Sequence, residues 1–365
     1  MERITRIIVI GGFLGAGKTT LIRRLAQHYL AAGHRVGVVT NDQAHGLVDT
    51  QTFRHEGLPV VEVPGACFCC KFHELVGVAE QLRNQAQPDI ILAEPVGSCT
   101  DLQATVIEPL RHLHRDRYEL APFVVLLKPE HGARILAGKP QSGFSPKAAY
   151  IFFKQLEEAD VVVINKVDKL SAEQVRELRD LLEARVNAAK VLAISARTGQ
   201  GCDELVRLLE QPAVARERRI EVDYDVYAEG EAELGWLNAQ IGIDAAQKVP
   251  LDRLVWAFGE KLRRELSAAG VEPAHLKLYA EHGPDAAVVN WVSADEPVEL
   301  SVASEAEVKD VELFVNARVV ADPQLLEETL RRVLDEVARE WALSTELRAL
   351  ERFRPARPVP TYRWS

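Results

Sequence analysis

The sequence predicts an α/β protein: a parallel sheet with helices on both faces, followed by a smaller α+β domain. Three observations point there. Seven short β-rich runs alternate with helical patterns across residues 1–212, a glycine-rich turn joins the first run to the first helix, and beyond Gln211-Pro212 the pattern changes. A chain of 365 residues has room for about two domains. We place them at 1–212 and 213–365.

The predicted strands are 7–10, 36–40, 60–63, 89–93, 123–127, 161–164 and 191–194. Gly33 is placed to end the first helix. Ser171-Ala-Glu-Gln174 reads as a capping box that opens a helix running to Val186. In open parallel sheets, ligands sit beyond the carboxyl ends of the strands. The segments just after each strand are therefore where functional residues are sought.

The first such segment is Gly12-Phe-Leu-Gly15-Ala16-Gly17-Lys18-Thr19, with Thr20 following. It lies after the apolar run 7–10 and before a helix with Leu21, Ile22, Leu25, Ala26, Tyr29 and Leu30 at helical spacing. A strand, a glycine loop and a helix in that order make a phosphate-binding loop, and the fold becomes that of a P-loop NTPase. Backbone N–H groups curl around phosphates, and the helix N-terminus favours their charge. Lys18 reaches the terminal phosphates and assists catalysis, while the Thr19 hydroxyl ligates magnesium.

After the second strand, Asn41-Asp42-Gln43-Ala44-His45-Gly46-Leu47-Val48-Asp49 is polar and placed near the phosphates. Asp42 and Asp49 can approach magnesium through water, or cap their own loop; Asp49, like Glu94, is also a candidate catalytic base for hydrolysis, although substrate-assisted attack needs neither. After the third strand comes Pro64-Gly-Ala-Cys67-Phe-Cys69-Cys70. Adjacent Cys69 and Cys70 would pair only with strain, which favours shared ligation of a soft cation. Three thiolates fill three corners of a tetrahedral zinc site and leave the fourth to water, His45 or a partner protein. Redox sensing and plain packing of small apolar side chains are the alternatives.

The fourth strand delivers Glu94-Pro-Val-Gly97. Glu94 is placed to hold magnesium or orient the attacking water, and the Gly97 N–H to sense a γ-phosphate. Cys99 follows and reads as structural, with metal ligation as the alternative. A later strand ends in Asn165-Lys166-Val-Asp168. A carboxylate at Asp168 accepts both N–H groups on the N1 and N2 edge of guanine, a donor pair that adenine lacks. Asn165 braces the base-binding loops, the Lys166 stem covers one face of the ring, and Ser195-Ala196-Arg197 supplies backbone contacts to the guanine oxygen.

These four stretches together resemble the CobW-type GTPases, relatives of the nickel-insertion GTPases of urease and hydrogenase maturation. The segment 155–160 resembles them too, and the likeness covers about residues 5–210. The resemblance implies slow hydrolysis of GTP to GDP, with zinc or cobalt bound through the Cys-x-Cys-Cys thiolates and delivered to a client metalloprotein. It also implies a link to cobalamin metabolism. The second function considered is a GTP-gated factor that assembles or reactivates a corrinoid enzyme, with structural cysteines; a third is a thiol redox switch on GTP turnover. Where typical members carry Asn-Glu-Phe-Gly-Glu, this chain has Asn41-Asp-Gln-Ala-His45, so His45 becomes a candidate added ligand. The family's histidine-rich insert is missing, which argues against bulk storage.

The C-terminal half predicts a strand at 236–243, a helix at 251–266, a hairpin of 275–281 with 286–292 across Gly283-Pro284, a strand at 311–316 and a helix at 323–341. Its expected work is to bind a client or relay the nucleotide state. The tail from Arg352 to Trp364 is basic, aromatic and proline-rich, suited to docking a partner or packing back on its own domain. The formal charge of −10 argues against a general binder of nucleic acid or membrane surfaces. The start lacks a secretory apolar core, the apolar runs fall far short of the ~20 residues of a membrane span, and the five cysteines suit a reducing compartment. A cytosolic protein is expected. No self-complementary surface can be read, so the oligomeric state stays open.

Overall fold

The computed structural model describes residues 3–43, 48–138, 145–186, 190–213 and 220–364. Its contacts divide into two compact units, each discontinuous in sequence. The first comprises residues 1–43, 57–230 and 357–365; the second comprises 44–56 and 231–356. A single division after residue 212 does not reproduce these units.

The first unit is built on strands β1 (Thr5–Gly12), β2 (Val36–Asn41), β3 (Val60–Val63), β4 (Ile90–Glu94), β5 (Tyr118–Leu120), β6 (Val124–Leu127), β7 (Val161–Ile164) and β8 (Lys190–Ala193). Their order is β3-β2-β4-β1-β6-β7-β8, and every pairing is parallel. Successive residues of β2, β4, β6 and β7 are all buried. Burial on both sides of the pleat requires cover on both faces, which the crossover helices of a parallel sheet supply. All seven predicted strands are present. The eighth, β5, pairs with Thr5 to Ile7 along β1, and β6 takes the register from Ile10 to Gly12.

The helices in chain order are α1 (Lys18–Ala31), α2 (Val48–His55), α3 (Phe72–Ala86), α4 (Glu108–Leu113), α5 (Pro129–Leu136), α6 (Pro146–Glu158), α7 (Ala172–Arg185), α8 (Cys202–Leu209) and α9 (Tyr224–Ala232). The apolar stripe of α1 lies inward: Leu21, Ile22 and Leu25 have no exposed surface, and each such side chain contributes roughly 1.5–3 kcal/mol by leaving water. Gly33, at φ +86°, follows the end of α1 in a left-handed conformation that L side chains seldom adopt. The capping box of Ser171 and Gln174 opens α7.

The second unit carries an antiparallel sheet of β9 (Gly235–Pro250), β10 (Pro273–His282), β11 (Asp285–Trp291), β12 (Glu299–Val302), β13 (Glu307–Val319) and β14 (Leu343–Phe353), in the order β12-β11-β10-β13-β9-β14. Two helices, α10 (Leu251–Ala268) and α11 (Pro323–Trp341), pack Val255, Phe258, Leu330 and Val333 against Ile241, Leu278, Val289 and Val315 of the sheet. The hairpin turns at Gly283-Pro284 between β10 and β11, as the sequence predicts. Val48 of α2 belongs to a smaller cluster with Tyr279, Val288 and Phe314, and its N–H donates to Asn316 Oδ1 at 2.8 Å. Among the described residues no helix is long and apolar enough to cross a membrane.

Candidate functional site

The first unit gathers the phosphate loop at the carboxyl end of its central strand. Gly12, Gly15 and Gly17 take φ of +131°, +75° and +94°, which lets the loop curl without Cβ strain. Ala16 is buried within that curl, and Lys18 folds back to donate to the Gly12 carbonyl at 3.1 Å. Thr20 is exposed on the first turn of α1. The Thr19 hydroxyl donates to Glu94 Oε1 at 3.1 Å, so two oxygen donors from α1 and the end of β4 stand together. A Cβ on Gly97 would fall 3.0 Å from Lys18 Nζ and 2.6 Å from Leu14. The backbone at Gly97 therefore passes directly beside the phosphate-loop lysine.

The loops after β7 and β8 are tied to the same place. Asn165 Nδ2 donates to the Ala16 carbonyl at 2.8 Å, and Asn165 Oδ1 accepts from Ala196 N at 2.9 Å. One buried amide thus links the phosphate loop to the last loop of the sheet. Lys166 adopts φ +63°, Asp168 Oδ2 lies 3.7 Å from Arg197 Nε, and Ser195 is fully buried. Two side chains to which the sequence assigns no role reinforce this frame. Arg24 donates to the carbonyls of Ala196 and Arg197, each at 2.5 Å. Gln155 donates to the carbonyls of Gly97 at 3.0 Å and Cys99 at 2.8 Å. An arginine or glutamine within a helix carries no pattern that announces such a partner.

The cysteine motif forms a compact thiol cluster. Cys67 Sγ lies 2.8 Å from Cys69 Sγ and 3.2 Å from Cys70 Sγ, and the last two sulfurs are 3.8 Å apart. None of the five cysteines is in a disulfide. Zinc–sulfur bonds of about 2.3 Å place tetrahedral sulfurs roughly 3.8 Å apart, so one soft cation can reach all three with small adjustments. Hydrogen bonding with Cys69, Cys70 and Cys99 holds the Cys67 pKa well below the usual thiol range. The same bonding to Cys67 raises Cys69 and pushes Cys70 up to about 11. Cys67 is thereby the sulfur of the three that gives up its proton most readily, and it is the thiolate form that binds metal.

Asn41, at the end of β2, positions this loop. Its Nδ2 donates to the carbonyls of Val63 and Ala66, both at 2.7 Å, and its Oδ1 accepts from Phe68 N at 2.8 Å. The sequence marked Asn41 only as the start of a polar loop. Asp49 belongs to the second unit, where its carboxylate pairs with Lys277 Nζ at 2.6 Å. His45 lies outside the described residues.

Residues 6–193 match the family described as CobW/HypB/UreG, nucleotide-binding domain. The chain belongs to this family. It is 27% identical over 216 residues to the zinc chaperone CobW of Sinorhizobium sp, covering 53% of this chain and 59% of that protein. It is 31% identical over 184 residues to the zinc chaperone YeiR of Escherichia coli strain K12, covering 48% and 51%. The match therefore spans little more than half the length of these curated CobW/HypB/UreG relatives. Among solved structures, Zn(II)-bound YjiA GTPase from E. coli is similar at 16% identity and a TM-score of 0.37, covering 92% of this chain and 99% of that one.

Proposed function

We propose that this chain is a GTP-hydrolysing metallochaperone that binds zinc or cobalt at Cys67, Cys69 and Cys70 and passes it to a client metalloprotein. The observation that carries the proposal is the convergence of three sulfurs within 3.8 Å in the unit that also holds the phosphate loop. The names of the CobW and YeiR relatives, both zinc chaperones, support the same reading.

GTP is the nucleotide because Asp168 offers a carboxylate to the paired donors of guanine, and Asn165 holds the surrounding loops together. Lys18 and the backbone of residues 12–19 bind the phosphates. Thr19 and Glu94 are the oxygen donors suited to magnesium, which neutralises phosphate charge when bound. Gly97 faces Lys18, so a γ-phosphate bound there acts on residues 94–99, the segment whose Cys99 touches Cys67. Nucleotide and metal are then coupled, and the coupling is reciprocal.

The test is an anaerobic cobalt(II) titration of reduced protein, with GDP or a non-hydrolysable GTP analogue. Thiolate charge-transfer bands at one cobalt per chain, tighter with the GTP analogue and lost in Cys67→Ser, are expected. Bands of equal affinity in both nucleotide states would remove the coupling. No thiolate bands in either state would overturn metal carriage and favour a factor that assembles or reactivates a corrinoid enzyme.

A further inference from the structure

Residues 357–364 belong to the first unit and lie along the cysteine motif. Val359 N donates to Cys70 Sγ at 3.3 Å, Thr361 N to the Cys69 carbonyl at 2.8 Å, and the Thr361 hydroxyl to the Cys70 carbonyl at 3.0 Å. The sequence there is Arg357-Pro358-Val359-Pro360-Thr361. Proline has no N–H, so Val359 and Thr361 hold the only backbone donors between 358 and 361. Both donors address the thiol motif. The Val359 side chain points away and is 70% exposed, so it is the backbone of this residue that makes the contact.

Anchors flank this contact on both sides. Arg357 pairs with Asp225 at 2.7 Å, and Arg363 pairs with Asp101 at 2.7 Å, a carboxylate with no exposed surface. The Tyr362 ring meets Phe72 edge-on at 5.3 Å, the Trp364 ring stacks on His112 at 4.9 Å, and the backbone N–H of Trp364 donates to the Ala104 carbonyl at 2.7 Å. Within the cluster, Cys67 and Cys69 are buried and Cys70 alone keeps exposed surface. The segment therefore lies at the sulfur through which an incoming ligand would first reach the cluster.

We infer that residues 357–364 are a latch on the thiol cluster: they steady Cys70 through the Val359 N–H, cover its approach, and must lift for a metal to be handed on. The latch as a cover for thiols stands on the contacts above; its control of metal release rests on the metal-binding reading of the preceding subsection. Its outer hydrogen bonds and ion pairs are partly exposed, so it can open locally without unfolding the sheet.

The test uses full-length Val359→Pro, which removes one N–H from an already proline-rich segment, and Arg363→Ala, which removes the anchor on Asp101. In metal-free reduced protein, alkylation of Cys70 by iodoacetamide, followed by peptide mass spectrometry, should accelerate about tenfold in each, because local opening of the segment then costs about one hydrogen bond or ion pair less. In cobalt-loaded protein, loss of the thiolate bands to excess EDTA should accelerate similarly while guanine-nucleotide affinity stays at the wild-type value. Thr361→Ala, a milder change, should fall between, which guards against misfolding of the other two. Wild-type alkylation rates in all three variants would overturn the latch. Faster alkylation with unchanged cobalt release would overturn its control of the metal. Faster alkylation in a protein that shows no thiolate bands at all would sustain the cover and remove the metal reading instead.

Discussion

Asn165 Nδ2 and the Ala16 carbonyl are joined by a 2.8 Å hydrogen bond across 149 positions of sequence. The same amide accepts from Ala196 N, so the phosphate loop and the loop after β8 share one buried side chain. Asn165→Ala leaves a buried acceptor and a buried donor without this partner. A loss of about 2–4 kcal/mol in stability is expected, from two such groups at about 1–2 kcal/mol each, with guanine-nucleotide affinity falling in parallel. Chemical denaturation and fluorescent-nucleotide titration measure the two.

Gly17→Ala tests the same contact from the other side. A Cβ there would come within 2.5 Å of Asn165 Nδ2, on a residue at φ +94°. Both steric overlap and backbone strain oppose it. Nucleotide binding should be lost at concentrations that saturate the wild type, and titration in the double variant Gly17→Ala, Asn165→Ala should recover part of it.

Asn41→Ala removes three hydrogen bonds that position residues 63–68. About 2–3 kcal/mol of stability should be lost, near 1 kcal/mol for each bond. The cobalt affinity of the cysteine cluster should fall more than the nucleotide affinity. Equal losses in the two titrations would show that Asn41 serves the sheet as a whole and not the thiol loop.

Glu158 carries a pH dependence. Burial pushes its pKa up to about 8, against the bonds it accepts from Gln103 N at 3.0 Å and the Thr100 hydroxyl at 3.2 Å. An unfolded glutamate titrates at about 4.3. Between these values the folded protein holds a proton that the unfolded chain has lost, so this group's contribution to stability falls as pH rises across the window. Below it both states are protonated, and above it the penalty is complete. Glu158→Gln should flatten that dependence, gaining on the wild type from pH 5 to 8 in denaturation curves, roughly the window between those two pKa values. Parallel curves for the two proteins would remove the assignment.

The sheet of the first unit was legible because its strands are buried on both faces and write themselves as apolar runs. The phosphate loop, the Asn165 to Asp168 stretch and the cysteine motif were legible because each needs particular residue types at fixed spacing. Strand β5 was not: three residues with Glu119 at the centre give no period to read. Strand β14 alternates half-buried Leu343, Thr345 and Leu347 with exposed neighbours, but with Thr345 on that face and Glu346, Arg348, Glu351 and Arg352 along it, no apolar stripe marks it as a strand. The membership of α2 in the second unit was hidden for a different reason. Val48 and Asp49 find partners more than two hundred positions away, and local pattern carries no information about contacts at that range. Asn41 and Gln155 act through carbonyls, which every residue has, so nothing in sequence distinguishes their targets.

Cys70 and the Val359 N–H that meets it are separated by 289 positions. At ribosomal rates of about 5–20 residues per second, the three cysteines emerge tens of seconds before the segment that will lie on them. The newborn protein thus passes through an interval in which its thiols are made, near one another and uncovered. The same interval leaves them most open to capture by whatever thiophilic species the surroundings then hold.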